Sequence, residues 1–163
     1  MKTFKFYLDA SNYFLNNVTH SKLTKEEKEF KNIASVLLSW IALETYINTL
    51  SEGLAKGTRI KKHEVDFLEE IELRVDDDGF FKKINVRPST TKKILFIINN
   101  FSKIDIKKFK QKDMWKDIKS FEDLRNKIVH YKEIHNINIS YKKAEECRNL
   151  VLNFIKYIRI ILR

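Results

Sequence analysis

The run Arg125-Asn126-Lys127-Ile128-Val129-His130 sets a guanidinium, a carboxamide and an imidazole within a turn and a half of helix. A guanidinium grips phosphate through a bidentate fork, an imidazole moves protons near neutral pH, and a carboxamide can orient either group. Ile118, Phe121, Leu124, Ile128 and Tyr131 recur at three and four residues, the period of one buried helical face. Arg125 and His130 lie off that stripe and, at roughly 100° per residue, about 140° apart around the helix. The Arg side chain must therefore curl to meet the imidazole, or a second copy must contribute. Asn126, four residues before His130, shares its ridge. Upstream, Glu44 is a lone carboxylate in an apolar run, a costly placement unless it faces Arg125, another cation or water. The competing assignment makes Arg125 an ion-pair partner of Glu44 or Glu122, and His130 a cation that suits a helix C-terminus.

The elements that must hold these residues are helical by composition. The 163-residue chain contains three Gly and one Pro, too few turn formers for a sandwich or barrel, and is rich in Leu, Ile, Lys and Glu. Its length suits one domain, residues 1–163, with a real core. The formal charge of +10 favours phosphate-rich partners or anionic membranes, nucleic acid ahead of membrane, with solubility as the competing use of the lysines. One cysteine, Cys147, excludes an internal disulfide framework and suits a reducing compartment. The first 15 residues mix Asp9, Ser11 and Asn12 into their apolar pattern, so no signal-peptide core forms. The most apolar late stretch, Asn149 to Leu162, is interrupted by Lys156 and Arg159 and is short for a membrane span. A cytoplasmic protein, not a membrane one, is expected.

Phe4, Leu8, Ser11 and Leu15 predict a first helix. Thr24 with Glu27 reads as a capping box opening a long second helix to about Leu54, apolar almost all round between Ile33 and Leu50. Lys61 to Glu70 suggests a short helix. Ile71, Leu73 and Val75 then alternate with polar residues, Asp76 to Gly79 supplies a turn, and Phe81, Ile84 and Val86 follow, predicting a small β-hairpin over about 71–87. The Asp76 to Asp78 run lacks the spaced ligands of a calcium loop. Pro88 ends the extended segment, and Ser89 or Thr90 can cap a helix through about Phe101. Lys103 to Lys116 is lysine-dense, with Lys107, Lys108 and Lys110 around Phe109 and Trp115. This is either a backbone-binding ridge with aromatics for base stacking or a loop anchored by those aromatics. Lys132 to Asn138 is a loop containing His135, whose spacing from His130 is not the i, i+4 of two metal ligands on a helix. No metal site is expected. Ala144, Cys147, Val151, Phe154, Ile158 and Ile161 mark a closing helix.

Arg125, Asn126 and His130 on a late helix, with a long helix after it and a long apolar helix far upstream, resemble the HEPN superfamily (higher eukaryotes and prokaryotes nucleotide-binding domains). Ribonuclease members of that superfamily carry Arg, a polar residue, several further residues and then His. The resemblance implies an all-α, HEPN-like antiparallel helical bundle with the hairpin as an insertion. It also implies a metal-independent endoribonuclease without cofactor, in which a 2′-hydroxyl attacks the adjacent phosphate and leaves a cyclic phosphate end. His130 would move a proton at a ribose oxygen, Arg125 would neutralise the phosphate, and Asn126 would hold the geometry. Glu44 and Tyr131 would support the site, and Lys127, Lys132, Lys107, Lys108 and Lys110 would bind RNA. In such proteins two motifs commonly meet across a two-fold axis, so a homodimer is expected. The setting would be bacterial defence or a toxin–antitoxin system, with a cognate antitoxin or nucleotidyltransferase as partner. Some relatives are silenced by modification of a tyrosine two residues after the His, where this chain has Lys132 with Tyr131 one position earlier. The alternative is a non-catalytic module that binds RNA, a nucleotide or a partner protein.

Overall fold

The computed structural model describes residues 3–19, 22–57, 60–130 and 138–162. The described residues form seven helices and one two-stranded antiparallel sheet. In chain order these are α1 (Thr3–Thr19), α2 (Lys25–Ala55), α3 (Lys62–Leu68), β1 (Ile71–Val75), β2 (Phe81–Asn85), α4 (Thr90–Phe101), α5 (Ile106–Gln111), α6 (Asp113–His130) and α7 (Tyr141–Ile161). The expected all-α class with a hairpin is what the chain adopts.

Helix α2 is the centre. Its start is fixed by the anticipated capping box: the Thr24 hydroxyl accepts from Glu27 N at 3.2 Å, and the Glu27 carboxylate accepts from Thr24 N at 2.8 Å. By length and composition α2 could cross a membrane. Its inward residues Val36, Trp40, Leu43 and Ile47 are instead packed in the core with Ile94 and Ile97 of α4, Ile118 of α6 and Val151, Phe154 and Ile158 of α7. Against α1 the packing is closer and polar. The Ser11 hydroxyl donates to the Ser35 carbonyl at 3.0 Å and lies 2.8 Å from the hydroxyls of both Ser35 and Ser39, so three small side chains satisfy one another where two helices touch. Asn32 of α2 donates to the Ile139 carbonyl at 2.8 Å and ties down the entrance to α7, which Ser140 caps through the Lys143 amide.

The hairpin pairs Ile71 with Asn85 and Val75 with Phe81. Its turn is closed by the Asp76 carboxylate, which accepts from the amides of Asp78 and Phe80, and by Gly79 at φ 85°, where a side chain would be strained. The acidic run is thus a turn device. At the hairpin's base Glu70 adopts φ 61°, and its carbonyl accepts from Val86 N at 2.8 Å. A non-glycine residue held there costs on the order of 1 kcal/mol, supplied by the surrounding contacts.

Within residues 103–116 the two aromatics are anchored in the core, from helices α5 and α6 rather than from a loop. Asp105 caps α5 by accepting from the amides of Lys107 and Lys108, while Phe109 and Trp115 are buried with ring centroids 5.4 Å apart. Neither ring is available to stack on a base. Tyr131, Lys132 and His135 lie outside the described residues.

Candidate functional site

Arg125 extends from α6 toward α2. Its Nη2 lies 3.5 Å from Glu44 Oε1, and its Nη1 donates to Asn126 Oδ1 at 3.1 Å. Glu44 also accepts from Trp40 Nε1 at 2.9 Å and from the Thr90 hydroxyl at 3.4 Å. A carboxylate projecting from the apolar stretch of the central helix is therefore satisfied by three donors from three helices, α2, α4 and α6. Glu122, the other partner considered for Arg125, is engaged elsewhere. Both its oxygens accept from the Thr91 hydroxyl at 2.9 Å, and Lys119 Nζ donates to Oε2 at 2.6 Å.

The Arg125–Glu44 pair forms one wall of a polar cleft of roughly 320 Å³. The opposite wall is Glu70, Arg87 and Lys93. The Lys93 side chain is only 4% exposed and donates to Glu70 Oε1 at 2.5 Å and to Asn48 Oδ1 at 2.8 Å, while Arg87 Nε stands 3.9 Å from Glu70 Oε2. Glu70, on left-handed backbone, presents its carboxylate to both cations. Three cations face two carboxylates there, which suits an anion better than a cation. Sequence reasoning missed Asn48, Glu70, Arg87 and Lys93. The available signal was Lys93 itself, four residues before the core residue Ile97 and hence on a buried ridge of α4.

His130 ends α6 on the exposed surface. Among the described residues no hydrogen bond or ion pair joins it to Arg125 or Asn126, and Asn126 turns its carboxamide oxygen to the guanidinium. Counting about 100° per residue, His130 falls instead on the same side of α6 as Lys116, Lys119 and Lys127, with Arg125 opposite. That lysine side opens onto a groove of roughly 640 Å³ lined also by Lys110 of α5 and Lys143 of α7. Of the lysines expected to meet RNA, Lys110 and Lys127 line the groove. Lys107 and Lys108 are exposed on α5 and do not line it. Lys119 and Lys143 went unnoticed, although Lys119 is legible as the i+3 partner of Lys116, which ends the lysine-dense stretch.

Cys147 is buried in α7, where burial pushes its thiol up to about 12, so it packs as an apolar residue and offers no thiolate. Among the described residues no group of three or more His, Cys, Asp or Glu side chains converges. Scans against protein-family models, curated proteins and solved structures find no match to this chain.

Proposed function

We propose that this protein is an endoribonuclease of the HEPN type, acting as a two-fold homodimer in bacterial defence or a toxin–antitoxin pair. The observation that carries this is the division of α6: Arg125 is held by Glu44 on one side, while His130 is exposed on the lysine-lined side. Each copy thus offers an oriented phosphate binder and an exposed imidazole that do not meet within the protomer. Joining two copies would bring them to one phosphate. Val129, one turn from Arg125, and Ile41, one turn from Glu44, are both exposed apolar residues suited to a subunit contact.

In the reaction the 2′-oxygen attacks the adjacent phosphorus as the bond from phosphorus to the 5′-oxygen breaks, giving a cyclic phosphate and a 5′-hydroxyl. One imidazole takes the 2′-hydroxyl proton, and the imidazolium of the second copy returns one to the leaving oxygen. Arg125 compensates the charge on the phosphate oxygens, and Glu44 keeps the guanidinium extended. Single-stranded RNA incubated with the protein in chelator is expected to be cut to cyclic-phosphate ends, and Arg125→Ala and His130→Ala to lose at least about a hundredfold in rate. A mixed dimer of the two variants keeps one guanidinium and one imidazole, so mixing should restore part of the activity if the site is shared, and light scattering should report a dimer. Variants that cut as well as the parent would remove both residues from the chemistry.

The occupation of Arg125 by Glu44 also favours a second reading, a non-catalytic module that binds RNA, a nucleotide or a partner protein. It predicts binding with no cleavage of any RNA tried.

A further inference from the structure

We infer that the groove between α5, α6 and α7 is a track for the phosphate backbone of single-stranded RNA, running along α6 to His130. This rests on the ribonucleic acid reading above and names the surface that would hold the substrate strand. Lys110, Lys116, Lys119, Lys127 and Lys143 line the groove, against one carboxylate, Asp123. Lys116 pairs with Asp113 at 2.9 Å, Lys119 with Glu122 at 2.6 Å and Lys143 with Glu146 at 3.7 Å. Lys110 and Lys127 have no carboxylate within 4.0 Å among the described residues. Two ammonium groups are therefore unpaired, and two more, on Lys116 and Lys143, share carboxylates at exposed positions where a phosphate can compete.

The shape fits a strand. Lys116, Lys119, Lys127 and His130 fall within an arc of about 80° on α6, and from Lys116 to His130 the helix rises about 21 Å. At about 3.4 Å per stacked nucleotide that is about six nucleotides. The chemistry of the lining sets the kind of recognition. Trp115 is buried beneath the groove, so no ring is offered for stacking, and lysines are point charges without a planar fork. Contacts of this kind read phosphates and leave bases unread. A lipid surface fits less well, because none of the large exposed apolar side chains lines the groove, and a membrane-binding face needs such residues to insert.

The test uses the full chain and a fluorescent 2′-O-methyl oligouridylate of twelve nucleotides, which cannot be cut at its blocked hydroxyls, with anisotropy read across salt concentrations. Three to five phosphate contacts predict a log–log salt slope of about −2 to −3.5. Lys116→Glu/Lys127→Glu, both at exposed positions, should weaken binding at least about tenfold and flatten the slope by about 1.4, two contacts' worth. Lys82→Glu/Lys83→Glu on the exposed hairpin changes net charge equally and should shift affinity less than about threefold. Circular dichroism checks the fold, and Lys116→Gln/Lys127→Gln gives the same direction if the glutamates unfold it. Equal losses from groove and hairpin pairs, tighter binding of a duplex or of anionic phospholipid vesicles than of the oligomer, or no binding at low salt would each overturn the track. Cleavable RNA separates the two proposals. Groove-dependent binding without cleavage sinks the ribonuclease and leaves the track, whereas cleavage whose KM ignores the groove pair sinks the track and leaves the ribonuclease.

Discussion

Replacing Glu44 tests whether the Arg125 pair is a fixture of the fold or a device for the site. The charges stand 3.5 Å apart with side chains 29% and 31% exposed. At an effective dielectric of about 20, the bare attraction is about 5 kcal/mol. Desolvation and side-chain ordering at such exposure leave a net of about 1 kcal/mol. Glu44→Gln keeps an acceptor for Trp40 Nε1 and removes the charge, so it should cost about 1 kcal/mol, or about 3 °C in Tm for a chain of this size. Glu44→Ala also strands the indole N–H, whose bond to a carboxylate is 2.9 Å, and should cost a total of about 2–3 kcal/mol. Thermal denaturation followed at 222 nm, combined with Arg125→Gln in a double-mutant cycle, isolates the pair and should return a coupling of about 1 kcal/mol. If the carboxylate also orients Arg125 for phosphate, Glu44→Gln should cut RNA cleavage by about tenfold or more, well beyond what so small a stability loss produces. A Glu44→Ala protein that melts within a degree of the parent would refute the account of this carboxylate.

Three further outcomes are open to measurement. Thr91→Val should destabilise by about 1.5–3 kcal/mol by chemical denaturation, since it removes the hydroxyl that serves both oxygens of the buried Glu122 carboxylate. Cys147, with its thiol raised to about 12, should resist an aromatic disulfide reagent at pH 8 in the native protein and react at once in denaturant, and rapid native labelling would show that α7 opens. Phe81→Ala on β2 should change stability by no more than about 0.5 kcal/mol, because its ring is 78% exposed, and a larger loss would mean the hairpin packs on something.

Much of the frame could be read from spacing alone. The Thr24 and Glu27 pair, the apolar circumference of α2 and the alternation about Asp76 to Gly79 each have one cheap backbone solution, and the chain adopts it. Glu44 was conspicuous because a carboxylate on a surrounded helix must find donors, yet the choice between Glu44 and Glu122 for Arg125 turned on helix rotation, which a periodic pattern leaves free. Helix α5 was hidden because its lysines mask the two apolar anchors, Ile106 and Phe109, although Asp105 stood in position to cap it. Glu70 itself carried no signal, since a glutamate at positive φ looks like any other glutamate until Lys93 and Val86 are seen holding it.

The central place of α2 carries a consequence for how the chain assembles. Its partner α1 is a short connection away and docks through adjoining serines, whereas α7, its other large partner, begins 86 residues beyond the end of α2. Loop closure over a connection roughly seventeen times as long costs about 2.5 kcal/mol more in entropy. The α1–α2 pair should therefore form early as a local template, with α7 arriving last to seal Leu43, Ile47 and Phe154 from water. A nascent chain would expose the apolar stretch of α2 until α7 is free to fold, which makes synthesis the stage at which it is most exposed to aggregation.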